Sequence, residues 1–168
     1  MSRWDVRGIA YAGIIAALYA AVAMLLAPIS FGVYQVRVSE VLTVLPFLIP
    51  SAPIGLFVGC GVANIFGGNG IQDILFGSLF TLIAGYMTYL TSKLKTKELA
   101  MILAPLPPVL INAFGVATYL SQITAMPYFF VVQMIGIGQI VACYVLGLPL
   151  LIYLTSRKFS FLETIGRH

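Results

Sequence analysis

Long apolar runs separated by short charged segments form the main pattern of this sequence. Stretches without any Asp, Glu, Lys or Arg lie between Arg7 and Arg37, Glu40 and Asp73, Asp73 and Lys93, and Glu98 and Arg157. In hydrocarbon, every backbone N–H and C=O group has to be satisfied within the protein, so such stretches predict transmembrane helices. We place these helices at about residues 8–28, 39–49, 53–67, 73–92, 99–120 and 127–155, within a single membrane domain of residues 1–168.

The two helices predicted between residues 39 and 67 are too short to cross a bilayer twice in full. Two crossings at 1.5 Å per residue require about 40 residues, and this stretch is clearly shorter. Pro50 and Pro53 mark the break between the two helices. At least one of them is therefore expected to be short, tilted or shielded by its neighbours. Interrupted helices of this kind are typical of a region that lines a cavity.

Composition supports a membrane protein and limits the chemistry that it can perform. The 168 residues are 61% hydrophobic and 8% charged, whereas soluble domains carry about a quarter charged residues. Cys60 and Cys143 lie singly in apolar runs, without a CxxC motif or a nearby histidine. We therefore expect both to be buried small residues, and we expect no metal and no cofactor.

The basic residues stand at the ends of the apolar runs and indicate the orientation of the helices. They form three groups: Arg3 and Arg7; Lys93, Lys95 and Lys97; Arg157, Lys158 and Arg167. By the positive-inside rule all three groups are cytoplasmic. The fold predicted is therefore an all-α membrane protein, a six-transmembrane-helix bundle with both termini in the cytoplasm. Because these residues form no basic stripe with interleaved aromatics, nucleic acid is not expected as a partner.

On this topology the polar side chains collect toward the outer ends of the helices. Ionisable groups in a membrane need water, partners or a ligand, so such groups are candidates for a binding site. The candidate site residues are Arg37, Glu40, Asn64, Asp73, Asn112, Tyr119 and Gln133. Asn112 and Tyr119 are seven residues apart and share a helix face. Gln139 points about 120° away from Gln133, so only one of them can face a small pocket, and its depth favours Gln133.

The charged residues have structural interpretations that the sequence leaves open. Arg37 and Glu40, three residues apart, can form an ion pair that only supports the fold. Asp73 begins a predicted helix and can serve merely as its N-cap. The functional alternative is that Glu40 or Asp73 accepts hydrogen bonds from N–H groups of a ligand.

Small residues repeat every four positions on the first predicted helix. One row is Gly13, Ala17 and Ala21, and its neighbour is Ala12, Ala16 and Ala20. Gly55 and Gly59 repeat the same spacing. Such rows allow helices to approach closely. They indicate either packing within the chain or docking of a membrane partner, and the sequence does not decide which row has which role.

Two stretches resemble a known family: YQVRVSEVLTVLPFLIP (34–50) and GLFVGCGVANIFGGNGIQDILFGSLFTLIAGYMTYL (55–90). They are similar to QueT proteins, the S components (substrate-binding membrane subunits) of energy-coupling-factor (ECF) transporters. The resemblance implies a multi-pass protein of the bacterial cell membrane with six helices and a substrate site near the outer face. It also implies a transmembrane coupling protein and two ATPase subunits as partners. An alanine row on the first helix would contact the coupling protein, and toppling of the subunit would release the solute inside.

The absence of a GxxxxGK[ST] phosphate loop fits this assignment, since partner subunits would then hydrolyse ATP and the chain itself would not be an enzyme. QueT proteins are associated with queuosine precursors, which are deazaguanines such as the aminomethyl precursor or queuine. A guanine-like edge offers adjacent N–H donors that a carboxylate can accept. The alternatives are an autonomous secondary transporter, an S component for another small vitamin-like solute, or a membrane enzyme, for which no catalytic constellation is evident.

Overall fold

All regular secondary structure in the part of the chain that the computed structural model describes, residues 6–31 and 35–156, is helical. In chain order the helices are α1 (Val6–Leu25), α2 (Val38–Phe47), α3 (Ala52–Gly67), α4 (Asp73–Thr91), α5 (Lys97–Thr124) and α6 (Tyr128–Thr155). Helices α1, α4, α5 and α6 are long and apolar enough to cross a membrane, whereas α2 and α3 are shorter apolar helices. The chain is thus a helical membrane protein.

Some sequence predictions differ from this structure or lie beyond its described part. The first helix was predicted to reach residue 28, but α1 ends at Leu25 and a separate helical turn, Ala27–Ser30, follows it. Pro28 lies in the first turn of this short segment, where its missing N–H costs nothing. Arg3 and the basic residues Arg157, Lys158 and Arg167 lie outside the described residues. The six-span count and the cytoplasmic termini therefore stay predictions.

Contacts at glycines show the relative directions of helices α1, α3 and α4. Gly55 and Gly59 of α3 lie against Ala12 and Ala16 of α1 in the same sequence order, so these two helices are parallel. Between α3 and α4 the order is reversed, because Gly85 of α4 lies at Pro53 near the start of α3 and Gly77 lies at Asn64 near its end. Helices α3 and α4 are therefore antiparallel.

Hydrogen bonds show how α4, α5 and α6 follow one another along the bundle. The Thr88 hydroxyl at the end of α4 donates to the carbonyl of Ala104 near the start of α5. The Tyr128 hydroxyl at the start of α6 donates to the carbonyl of Phe114 in α5. The bundle thus has a lysine end, which carries the exposed turn of residues 93–97, and an opposite polar end, where α1, α3 and α5 end and α4 and α6 begin.

Helix α2 is a 3₁₀ helix of ten residues, Val38–Phe47. A 3₁₀ helix rises about 2.0 Å per residue, so α2 spans about 20 Å, where the same residues as an α-helix would span about 15 Å. Runs of this length are uncommon because the hydrogen bonds of a 3₁₀ helix are poorer. Its neighbours hold it in place, since Thr43, Val44 and Leu45 are buried and Gly147 of α6 leaves room for Val44.

Two π-helical segments interrupt the long helices, Asp73–Gly77 in α4 and Val141–Gly147 in α6. A π segment widens the helix by one residue per turn and is frequent at functional sites. The first contains Asp73 and the second contains Cys143. Both side chains are buried, so each widened turn directs a polar or polarisable group into the bundle.

The two small-residue rows of α1 have different environments. A Cβ atom at Gly55 would lie 2.5 Å from the Ala12 carbonyl oxygen, and one at Gly59 would lie 2.7 Å from that of Ala16. Ala12 and Ala16 of the Ala12, Ala16 and Ala20 row therefore form the close contact with α3 inside the chain. Gly13, Ala17 and Ala21 are exposed, and nothing lies within 4 Å of a Cβ built on Gly13.

Candidate functional site

Seven buried polar side chains contact one another in the half of the bundle nearer the polar end. This polar cluster consists of Tyr19, Arg37, Glu40, Asn64, Asp73, Asn112 and Tyr119. All are 5% exposed or less. Helices α1 to α5 each contribute at least one member, or in the case of Arg37 the residue that precedes α2. Six of the seven candidate residues of the sequence prediction are among them, and Gln133 is not.

Glu40 lies at the centre of one half of the polar cluster. The Tyr19 hydroxyl donates to Oε1 of Glu40 at 2.5 Å, and Nδ2 of Asn112 donates to Oε2 at 3.1 Å. These bonds join α1, α2 and α5. Of the two interpretations left open for Arg37 and Glu40, the ion pair between them does not form among the described residues, where the guanidinium of Arg37 pairs with Asp73. The physical reason is that Arg37 precedes α2 with non-helical backbone (φ −78°, ψ 85°), so it does not share a helix face with Glu40.

Asp73 lies at the centre of the other half. Its Oδ1 accepts the Tyr119 hydroxyl at 2.5 Å, and its Oδ2 accepts Nδ2 of Asn69 at 2.9 Å. Nη2 of Arg37 lies 3.7 Å from the same Oδ2. The N-cap interpretation of Asp73 is wrong, since helical backbone already begins at Ile71 and the carboxylate accepts hydrogen bonds from other side chains.

The Arg37 guanidinium is buried among long, weak contacts. Its Nε donates to the Ser30 carbonyl at 3.4 Å, its Nη2 to Gln35 Oε1 at 3.2 Å, and its Nη1 to the Cys60 sulfur at 3.8 Å. The group also lies over the Phe31 ring, 5.5 Å from its centroid. An arginine has five N–H donors in a rigid fork. Among the described residues, the other acceptors lie farther from the guanidinium than Gln35 does, so the group has N–H donors available for a further partner.

Asn64 and Asn112 each have a buried oxygen without a hydrogen-bond partner in the described structure. The amide orientation of each follows from its nitrogen, which donates to the Asp73 carbonyl at 2.7 Å in Asn64 and to Glu40 in Asn112. A buried acceptor left without a partner costs about 1–3 kcal/mol. Both halves of the polar cluster therefore contain a buried acceptor without a partner among the described residues.

Gln133 was predicted, rather than Gln139, to face the interior of the bundle, and this prediction is wrong. Gln133 is exposed, whereas Gln139 is buried, and its Oε1 accepts the Cys143 thiol at 3.4 Å. The inward face of α6 is the one that carries Val131, Ile135 and Gln139. Gln139 borders the Glu40 half, because the Cys143 sulfur also lies 3.7 Å from the Glu40 carbonyl oxygen.

Tyr19 belongs to the polar cluster and Asn69 contacts it, but neither was among the candidate residues predicted from the sequence. Tyr19 was hidden in an apolar helix, but it stands three residues after Ala16 and so shares the face of the row that packs inside the chain. That position was the available signal. Asn69 lies between α3 and α4, and its position four residues before Asp73 was the only indication of their contact.

Glycine at two positions makes room for the site. A Cβ atom at Gly77 would lie 2.9 Å from both Asn64 Nδ2 and Asp73 Oδ1, so the polar cluster occupies the space of a side chain. At Gly138 a Cβ atom would overlap the carbonyl oxygen of Gln35. The segment before Arg37 therefore passes directly over the backbone of α6.

The arrangement is suited to binding a polar organic molecule. Two carboxylates and two free amide oxygens are acceptors, and one guanidinium is a donor for a carbonyl or similar group. The Phe31 and Phe76 rings are next to Arg37 and Tyr119, respectively, and add flat apolar surface. A few polar groups of this kind fix the orientation of a ligand in a binding site.

Comparison with known proteins adds one finding. A family model described as QueT transporter matches residues 9–156, which includes every described residue of the polar cluster. No curated protein and no solved structure has a significant match to the chain.

Proposed function

Because the chain belongs to the QueT transporter family, we propose that it is the S component of an ECF importer and binds a queuosine precursor of the deazaguanine type. The observation that carries this proposal is the polar cluster, which holds the buried Asp, Glu and Arg side chains of the described chain in one half of the bundle. The family supports a membrane transport role and a small-molecule substrate. The deazaguanine substrate and the ECF partner subunits are what we propose beyond this.

The hydrogen-bonding groups of the polar cluster complement those of a deazaguanine. The guanine-like edge has adjacent N–H donors, which suit a carboxylate and a free amide oxygen such as those of Asp73 and Asn64. The ring carbonyl is an acceptor and suits the underused N–H groups of Arg37. Aromatic rings such as Phe31 can stack on the base. Gln133, which is exposed, has no role in this site.

The orientation that we propose places the polar end outside and the lysine end in the cytoplasm. Lys93, Lys95 and Lys97 are exposed at the lysine end, and Arg7 is exposed at the start of α1, which begins there too. The positive-inside rule then gives a multi-pass protein of the bacterial cell membrane with six spans and a site that opens outward. Helices α2 and α3 would cross the membrane, and their neighbours would shield them from lipid.

The free row of α1 is the docking surface that we propose for the transmembrane coupling protein. Gly13, Ala17 and Ala21 are exposed, whereas Ala12 and Ala16 contact α3. A row of small residues allows the backbone of another helix to approach closely. Two ATPase subunits bound to the coupling protein would supply the energy, and the chain itself would catalyse no reaction.

The distribution of charge favours this proposal over an autonomous secondary transporter. Such a transporter needs a polar path or ionisable relay from one side of the membrane to the other. Among the described residues the buried ionisable side chains Arg37, Glu40 and Asp73 all belong to the polar cluster. An S component needs only a site on one side, because its partners move it.

A binding titration tests the proposal. The purified protein should bind an aminomethyl deazaguanine, and Asp73→Asn should weaken binding about tenfold or more, since a charged acceptor of the cluster is lost. Glu98→Gln is the matched control, because Glu98 is exposed at the lysine end, and its affinity should equal that of the wild type. Absence of binding by the wild type, or equal affinity in all three proteins, would contradict the proposal.

A further inference from the structure

The two carboxylates of the polar cluster are held in the same way but differ in charge compensation. Each accepts one tyrosine hydroxyl and one asparagine N–H: Glu40 from Tyr19 and Asn112, Asp73 from Tyr119 and Asn69. Asp73 in addition has the guanidinium of Arg37 at 3.7 Å. Glu40 has no ion pair among the described contacts. The difference between the two sites is therefore one positive charge.

The described chain contains no second buried cation that could compensate Glu40. Arg7, Lys93, Lys95 and Lys97 are all exposed, and the three lysines stand at the opposite end of the bundle. Arg37 is the one buried basic residue in the described ranges. With both carboxylates ionised, the cluster carries one more negative than positive charge. A buried charge without a partner is strongly unfavourable, so an ionised Glu40 is stabilised by a cationic ligand.

The hydrogen-bonding groups around Glu40 also favour a cation. The free Oδ1 of Asn112 belongs to the side chain whose nitrogen contacts Glu40, so this free acceptor lies beside the carboxylate. The unpaired amide oxygen of Asn112 can only accept a hydrogen bond. An ammonium group has three N–H donors and no acceptor, and it can satisfy both groups at once. A neutral group with acceptors of its own would leave the Asn112 oxygen unpaired.

We propose that the substrate binds as a cation, with its ammonium group on the Glu40 carboxylate and the Asn112 oxygen, while Asp73 and Arg37 bind the uncharged part. This inference rests on the proposed function and adds to it the charge of the substrate and the position of that charge. It assigns different roles to the two carboxylates. Glu40 distinguishes cationic from neutral ligands. Asp73 accepts hydrogen bonds from N–H groups that every deazaguanine has.

The test compares two ligands of one scaffold, an aminomethyl deazaguanine, which is cationic, and a cyano deazaguanine, which is neutral. The wild type should bind the cationic ligand about 10- to 100-fold more tightly, the range expected for a hydrogen bond to a charged group. Glu40→Gln should remove this preference by weakening only the cationic ligand. Asp73→Asn should weaken both ligands and keep the preference.

Tyr19→Phe is the matched control for Glu40→Gln. It removes a hydrogen bond from the same carboxylate but leaves its charge, so the preference for the cationic ligand should persist. The wild-type comparison tests the idea even if Glu40→Gln does not fold. Equal affinity of the wild type for the two ligands, or an equal loss for both in Glu40→Gln, would overturn the charge assignment and leave the proposed function intact. Binding of neither ligand would overturn the proposed function as well.

Discussion

The Tyr119 hydroxyl is the shortest link between α5 and the Asp73 carboxylate. It donates at 2.5 Å to an oxygen that has no other hydrogen-bond partner among the described residues, and both side chains are buried. Tyr119→Phe leaves this oxygen buried and unpaired, so we expect a loss of about 1–3 kcal/mol in the free energy of unfolding. A thermal melt in detergent measures it. Tyr86→Phe, an exposed tyrosine of α4, is the control, and equal melting of the two variants would contradict the role of this hydrogen bond.

At the residue scale, the members of the polar cluster could be predicted better than their pairing. Arg37, Glu40 and Asp73 stood out because ionisable groups are rare in apolar runs and have to face the interior of the bundle. The choice of Asp73 rather than Glu40 as the partner of Arg37 could not be predicted. It depends on the rotation of α2 and on the π turn that opens α4, and neither leaves a periodic signal in the sequence.

At the element scale, the contact between residue 35 and α6 determines where Arg37 lies. A Cβ atom at Gly138 would overlap the Gln35 carbonyl oxygen, whereas one at Gly136 would make an ordinary 3.7 Å contact with Ala113. Gly138→Ala has to displace the segment that leads to Arg37. We expect it to cost about 1–3 kcal/mol in the free energy of unfolding and to weaken ligand binding.

Gly136→Ala is the matched control, two residues away on the same helix. It should melt at the wild-type temperature and bind ligand with wild-type affinity. If Gly138→Ala behaves in the same way in both assays, the segment before Arg37 is not held by α6 and this part of the account is wrong.

The helix types show where sequence patterns stop being informative. Apolar runs indicated where helical segments occur, because hydrocarbon requires helices wherever the backbone crosses it. The 3₁₀ geometry of α2 and the π turns of α4 and α6 were not predicted. They arise from packing between elements, such as Val44 against Gly147, and not from local propensity.

At the scale of the whole molecule, the two faces of α1 separate folding from partner docking. Ala17→Trp lies in the exposed row, so the subunit should fold and bind ligand normally but lose the coupling protein in co-purification. Ala16→Trp should instead destabilise the subunit, since the Ala16 backbone lies against Gly59. Ile83→Trp, at an exposed position of α4, is the control and should keep the coupling protein. Retention of the coupling protein by Ala17→Trp would refute this docking surface.

The central claim concerns one site in the whole molecule, so a structure with a bound deazaguanine tests it most directly. We expect the ligand within hydrogen-bonding distance of Asp73, with its ammonium group at Glu40 and the oxygens of Asn64 and Asn112 no longer unpaired. A ligand bound elsewhere on the bundle, with the contacts of Tyr19, Glu40, Asp73 and Tyr119 unchanged, would contradict the account.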